Sequence, residues 1–110
     1  MNINFREIDK DNWNECAYSF VNADQKAFLK PNYYLLAKAL YECNWTTLAI
    51  ADDDIDYEDS IVGFVMYKII ENNSDMECKK QCWIEGYMID RDFQGKGYGK
   101  NALIKLMDLL

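Results

Sequence analysis

Histidine is absent from this chain of 110 residues, proline occurs once and glycine only five times. Without histidine, Ser-His-Asp and Cys-His nucleophilic catalysis are both excluded. Cysteine occurs at Cys16, Cys43, Cys78 and Cys82, but "KKQ" separates Cys78 from Cys82 and no second pair follows. That is not zinc-knuckle spacing, so the expectation is isolated thiols and no metal site. Positive charge is also short. Twelve Lys and Arg against 19 Asp and Glu leave a net charge of −7 and a pI near 4.5. Neutralising nucleic-acid phosphates takes a basic face, which argues against nucleic acid as a general partner. A cationic substrate or partner is compatible with the balance. No apolar run approaches the ~18 residues that a membrane helix needs. The opening "MNINFREIDKDNW" shows no basic-then-apolar leader pattern. The reading is a cytoplasmic protein with no membrane association and reduced thiols.

What is present suffices for a core. Half the residues are hydrophobic and 15% are aromatic, as suits one folded domain of this length. "INFREI", 3 to 8, alternates apolar and polar residues as a strand does. Asp9 or Asp11 is placed to cap a helix carrying Trp13, Cys16, Ala17 and Phe20 on one face. A second helix is expected around "PNYYLLAKALYE", with Pro31 in its first turn and an apolar stripe of Leu35, Leu36, Ala39 and Leu40. Strands follow at "TTLAIAD" (46 to 52), "SIVGFVMYKII" (60 to 70) and "QCWIEGYMID" (81 to 90). "DDDIDYED" reads as a solvated acidic turn and "ENNSDMECKK" as a polar hairpin connection. A last helix starts near Gly99 and places Leu103, Leu106, Met107 and Leu110 on one face. It has no capping glycine or basic last turn, which reads as a fold cut short. The order β-α-α-β-β-β-α predicts a single α/β domain (α+β type), a mostly antiparallel sheet flanked by helices.

Three of the five glycines, Gly95, Gly97 and Gly99, stand in "DFQGKGYGKNAL" at the mouth of that last helix. A strand, a tight glycine loop and a helix start together aim unpaired backbone N–H groups at one point, and the helix dipole adds positive potential there. Such a nest suits phosphate, and Lys96 and Lys100 add two cations to it. The P-loop pattern fails, because Lys100 is followed by Asn101 and Gln stands at 94. The dinucleotide G-x-G-x-x-G fails as well, because Lys100 stands where its third glycine belongs. The pattern Q/R-x-x-G-x-G/A fits Gln94 to Gly99 without adjustment.

At these residues the chain resembles a known family. "MIDRDFQGKGYGKNAL" is similar to the coenzyme A signature of the GNAT superfamily of N-acetyltransferases. With "FVMY" and "YMID" on the strands before it, the chain resembles the bacterial diamine/spermidine acetyltransferase-like branch, over residues 1 to 110. The resemblance implies acetyl-CoA as co-substrate. Backbone amides of Gln94, Gly95, Lys96, Gly97, Tyr98 and Gly99, with Lys100 nearby, would hold its pyrophosphate. Met88, Ile89 and Asp90 would lie along its pantetheine arm, and main-chain groups near Met88 would bond the acetyl carbonyl. Glu85, on the same strand, is the expected general base toward a small primary amine, because an ammonium of pKa near ~10 must lose a proton before it attacks. Tyr33, Tyr34, Tyr41 and Trp45 are candidates for a substrate wall. Family members continue with a further strand, a helix and a hairpin, and with a tyrosine that protonates the leaving thiolate. Two functions therefore stand side by side: an N-acetyltransferase acting on an amine such as a diamine or polyamine, or an inactive coenzyme-binding module that works by association. In either case the uncovered strand and helix lead to an expected homodimer.

Overall fold

A computed structural model describes residues 1–18, 31–56, 60–74 and 77–110. Four strands form one antiparallel sheet in chain order: β1 (Ile3–Glu7), β2 (Thr46–Asp52), β3 (Ile61–Ser74) and β4 (Glu77–Ile89). The described helices are α1 (Trp13–Ala17), α2 (Asn32–Tyr41) and α3 (Tyr98–Leu109), with a 3₁₀ turn at Arg91–Phe93. Among the described residues the elements follow the expected order, in an antiparallel α/β arrangement. Phe20 lies outside the described residues.

β2 and β3 bury consecutive residues, Ala49 to Asp52 and Val62 to Met66, because both faces of the sheet are covered, and long-range pairing sets the register. Ile3 faces Asp52, Phe5 faces Ile50 and Thr46 faces Tyr67. β3 and β4 pair from Gly63↔Ile89 out to Ser74↔Glu77. The polar stretch expected as a hairpin connection is therefore mostly strand. Glu71 sits opposite Lys80 with their charges 3.8 Å apart, an exposed cross-strand pair.

The two faces of the sheet bury different helices. α1 and α2 cover Cys16, Leu35, Ala49, Phe64 and Met66. α3 covers Ile3, Ile50, Val62, Val65 and Ile89 with Tyr98, Ala102 and Leu106. Each fully buried large side chain in these layers contributes about 1.5–3 kcal/mol. In the turn before α1, whose N-cap is Asn12, Asp9 Oδ1 accepts the Asp11 amide at 2.8 Å and the Asn12 amide at 3.2 Å. Asn32 joins α2 to α1 by donating to the Cys16 carbonyl at 2.8 Å.

Three apolar stripes differ from their expected positions: in α1, Cys16 and Ala17 are buried but Trp13 is 50% exposed. In α2, Leu35 is buried and Leu36 and Ala39 pack on the core, but Leu40 is 81% exposed. In α3, Leu106 is 1% exposed, whereas Leu103, Ile104, Met107 and Leu110 lie outside the core. The buried face of α3 repeats every fourth residue through Tyr98, Ala102 and Leu106. Small Ala102 lets the helix approach the sheet closely, and that approach selects the face over the larger leucines. No helix among the described residues is long and apolar enough to cross a membrane.

Candidate functional site

The site is built along the last residues of β4, Glu85 to Ile89. At its C-terminal end Asp90 caps the turn, accepting the Asp92 amide on Oδ1 at 3.0 Å and the Phe93 amide on its carbonyl at 2.9 Å. Gly95 (φ 79°) and Gly97 (φ 89°) then take left-handed backbone that a side chain opposes. Gly97 is the N-cap of α3, and the first intrahelical bond runs from the Asn101 amide to the Gly97 carbonyl at 3.1 Å. The amides of Tyr98, Gly99 and Lys100 precede that bond and so have no partner within the helix. An added Cβ at Gly95 meets nothing within 4 Å, so a ligand has room to reach the backbone there. At Gly99 an added Cβ would meet Ile89 Cγ1 at an ordinary 3.7 Å, which agrees with a glycine-or-alanine position. Lys96 and Lys100 are exposed, and the Lys96 ammonium lies 5.9 Å from the Phe93 ring. The arrangement fits a pyrophosphate: amides, a positive dipole end and two cations, with no Cβ in the way.

Several expected residues do other work. The Gln94 amide donates to the Arg91 carbonyl at 3.4 Å and its side chain to the Ile89 carbonyl at 2.9 Å, so the amide nest begins after it. The Tyr98 side chain is buried, leaving only its backbone at the helix mouth. Ile89 packs in the core beneath α3. The Asp90 amide donates to the Val62 carbonyl at 2.8 Å, and the Met88 carbonyl approaches Gly63 on β3. By strand alternation the main-chain groups of Met88 therefore turn toward β3, while those of Tyr87 and Ile89 face the other edge of β4, which no described strand covers. The main-chain groups suited to an acyl carbonyl thus flank Met88.

Tyr87 was not anticipated. Its hydroxyl lies between the Gly99 carbonyl, to which it donates, and the Leu103 amide, joining β4 to the first turn of α3. Burial raises its pKa and the Leu103 amide partly offsets this. Its position two residues before core Ile89 on a strand was the available signal.

The other end of the site is a β-bulge. Met66 pairs with Gly86 and Tyr67 with Ile84, so Glu85 is the extra residue on β4. A bulge re-aims its side chains. Here Gly86 and Glu85 both turn toward α2: an added Cβ at Gly86 would lie 2.5 Å from Leu35 Cδ1, and Glu85 Oε1 accepts from Lys38 Nζ at 3.1 Å. Glu85 Oε2 accepts from Trp83 Nε1 at 3.0 Å. The Trp83 and Lys38 hydrogen bonds hold the Glu85 carboxyl below its usual range, against the effect of burial. The same bond to Glu85 raises the Lys38 ammonium. Trp45 faces this pair, with Lys38 Nζ 5.3 Å and Lys68 Nζ 4.5 Å from its ring. An ionised carboxylate bonded to the Lys38 ammonium, with the Trp45 ring facing that ammonium, forms a cation-holding cluster. Tyr33, Tyr34 and Tyr41 are exposed on α2, and Tyr34 contributes to raising the Lys38 ammonium.

An antiparallel α/β sheet with a Q-x-x-G-x-G loop at the mouth of its last helix defines the chain as an acetyltransferase-type fold. Residues 6–110 match the Acetyltransferase (GNAT) family, and the chain belongs to that family. The curated relatives include the "Probable spermine N(1)-acetyltransferase" of Bacillus subtilis subsp. natto (strain BEST195), 27% identical over 110 residues, which is 100% of this chain and 69% of that protein. The "Spermine/spermidine N(1)-acetyltransferase" of Bacillus subtilis (strain 168) matches with the same identity and the same coverage of both chains. A crystal structure of a GNAT family acetyltransferase from Staphylococcus aureus subsp. aureus USA300_TCH1516 superposes with a TM-score of 0.61 at 17% identity. That match covers 99% of this chain and 78% of the other, and it concerns the fold.

Proposed function

We propose that the chain binds acetyl-CoA and transfers the acetyl group to a primary amine, with a diamine or polyamine as the favoured acceptor class. One observation carries the reading: the last residues of β4 run from an ionised carboxylate on a bulge, Glu85, to an amide-lined, cationic helix mouth. Glu85 to Ile89 spans about 13 Å of extended strand, a length suited to a pantetheine arm. The pyrophosphate rests on the amides after Gln94, with Lys96 and Lys100 beside it. The arm follows Met88, Ile89 and Asp90, and main-chain groups of Tyr87 and Ile89 supply polar contacts along the free edge.

Glu85 recognises the acceptor ammonium in place of Lys38 and, through a water, takes one of its protons. The amine nitrogen attacks the thioester carbonyl, the C–N bond forms and the C–S bond breaks. The proton left over on nitrogen ends on the thiolate, and the proton taken by Glu85 passes to solvent. Named relatives that act on spermine and spermidine support the acceptor class. So does Glu85, which holds the Lys38 ammonium beside the Trp45 ring.

Acetyl-CoA titration by calorimetry, followed by mass spectrometry of a spermine, spermidine and putrescine panel, tests this. Saturable binding with an acetylated amine product is expected. Binding without any product assigns the chain as a coenzyme-binding module, and absence of binding overturns the site itself. The open edge of β4 and the exposed Ile104, Met107 and Leu109 of α3 support self-association into a homodimer. A stable contact needs ~800 Å² per partner. Sedimentation should show a dimer that Met107→Lys dissociates, and a wild-type monomer at high concentration removes the idea.

A further inference from the structure

The acidic stretch "DDDIDYED" reads as a solvated turn, yet its first residue, Asp52, is only 3% exposed. Its carboxylate is saturated with donors. Oδ2 accepts from the Tyr98 hydroxyl at 2.5 Å, and Oδ1 accepts the Asn2 amide at 2.9 Å and the Asp54 amide at 3.0 Å. Tyr98 is the first residue of α3, directly after Gly97. Its ring stacks edge-on against Phe93 at 5.8 Å, on the other side of the glycine loop. Asp52 is also held at its own backbone, where its amide donates to the Ser60 carbonyl at 2.9 Å. Gly95 and Gly97 bring no side chains of their own, and the other tethers lie at the flanks of the loop, the Gln94 side chain on the Ile89 carbonyl and the Tyr87 hydroxyl on the Gly99 carbonyl.

We propose that Asp52 is a positioning residue for the coenzyme site: through Tyr98 it fixes the direction in which the α3 mouth presents its amides. This rests on the proposed coenzyme reading and names a residue 46 positions away in sequence that acts on it. The physical case is that amides bind an anion well only when already aimed, since any aiming done on binding subtracts from affinity. A buried carboxylate with three donors is a stiff anchor, and burial makes its loss expensive. Burial by itself would push the Asp52 carboxyl up, but the bonds from Tyr98, Asn2 and Asp54 outweigh it and hold the carboxyl below its usual range. The anchor is therefore ionised at neutral pH.

Tyr98→Phe removes one hydroxyl without changing the ring, so the variant folds. It should raise the KM for acetyl-CoA and weaken calorimetric binding about tenfold, the effect of one charge-assisted hydrogen bond. The kcat should stay within about twofold, because the reacting end is untouched. Asp52→Asn, which keeps the shape and one acceptor oxygen, should fall between wild type and Tyr98→Phe. Lys105→Met is the control. It cuts a different tether of the same helix, from Lys105 Nζ to the Ile3 carbonyl and to Asn4 Oδ1 at 3.0 Å. It should lower thermal stability and leave acetyl-CoA affinity unchanged. Hydrogen exchange on the unliganded protein reads the anchor without any ligand: amides 95 to 100 should exchange faster in Tyr98→Phe and not in Lys105→Met. Unchanged exchange in Tyr98→Phe overturns the proposal, as does a loss of affinity that follows stability equally in both variants. If wild type binds no acetyl-CoA, the coenzyme reading falls, and the exchange comparison still decides whether Asp52 positions the loop.

Discussion

Gly97 answers for two properties that alanine and valine separate. Its φ of 89° and ψ of 4° lie in the left-handed region, where an L side chain costs about 1–2 kcal/mol. An added Cβ would meet its nearest neighbour, Asn101 Nδ2, at 3.5 Å, an ordinary contact. Gly97→Ala therefore carries backbone strain and no clash. Unfolding in urea should show a loss of about 1–2 kcal/mol, and each kcal/mol lowers Tm by roughly 4–8 °C in a domain near this size. Gly95→Ala, at φ 79° with nothing within 4 Å of its Cβ, should lose a similar amount. If local crowding were the cause, Gly97 would suffer and Gly95 would not. Gly97→Val adds a branched side chain where the pyrophosphate approaches. It should weaken acetyl-CoA binding by about 2–4 kcal/mol, the worth of one or two charged hydrogen bonds, which calorimetry would read as roughly 30- to 1,000-fold. Wild-type stability in both alanine variants would refute the strain argument. Wild-type affinity in Gly97→Val would refute the phosphate nest.

Three further outcomes follow from the same geometry. Glu85→Gln should lower turnover ~10²-fold with acetyl-CoA affinity retained. Because Trp83 and Lys38 depress the Glu85 pKa, the wild-type acid limb should lie below the usual carboxylate range, and a variant matching wild type at every pH would assign the proton transfer elsewhere. The Lys38–Glu85 pair should stabilise the fold above the unfolded glutamate pKa of about 4.3 and lose that effect as pH falls through the lower folded value. The urea-midpoint difference between wild type and Lys38→Met should therefore shrink in acid, and a difference independent of pH would deny the pair its role. Cys16 is fully buried and its thiol is pushed up to about 12, chiefly by burial, so peptide mapping after iodoacetamide treatment at neutral pH should find exposed Cys43 alkylated and Cys16 intact. Equal labelling of the two would show that the α1 core opens readily.

Local chemistry made much of this chain legible as a sequence. β2 occupies the stretch "TTLAIAD" from end to end, in keeping with the extended-backbone preference of β-branched Thr46, Thr47 and Ile50. The glycine loop was legible for a stronger reason: Gly95 and Gly97 adopt backbone that other residues avoid, so geometry is written directly into residue type. Glu85 could be picked out by its chemistry and its place on the signature strand. What surrounds it could not, since Lys38 lies 47 positions away and the bulge exists only in the pairing of β4 with β3. The same holds for Asp52, whose acidic neighbours disguise it as a solvent residue until the fold brings Tyr98 to it. It holds again for α3, where several leucines compete for the core and the approach of small Ala102 to the sheet decides among them. Period and propensity are short-range and act within an element. Burial, ion pairing and the choice of a helix face depend on which surfaces meet, and only the tertiary structure decides that.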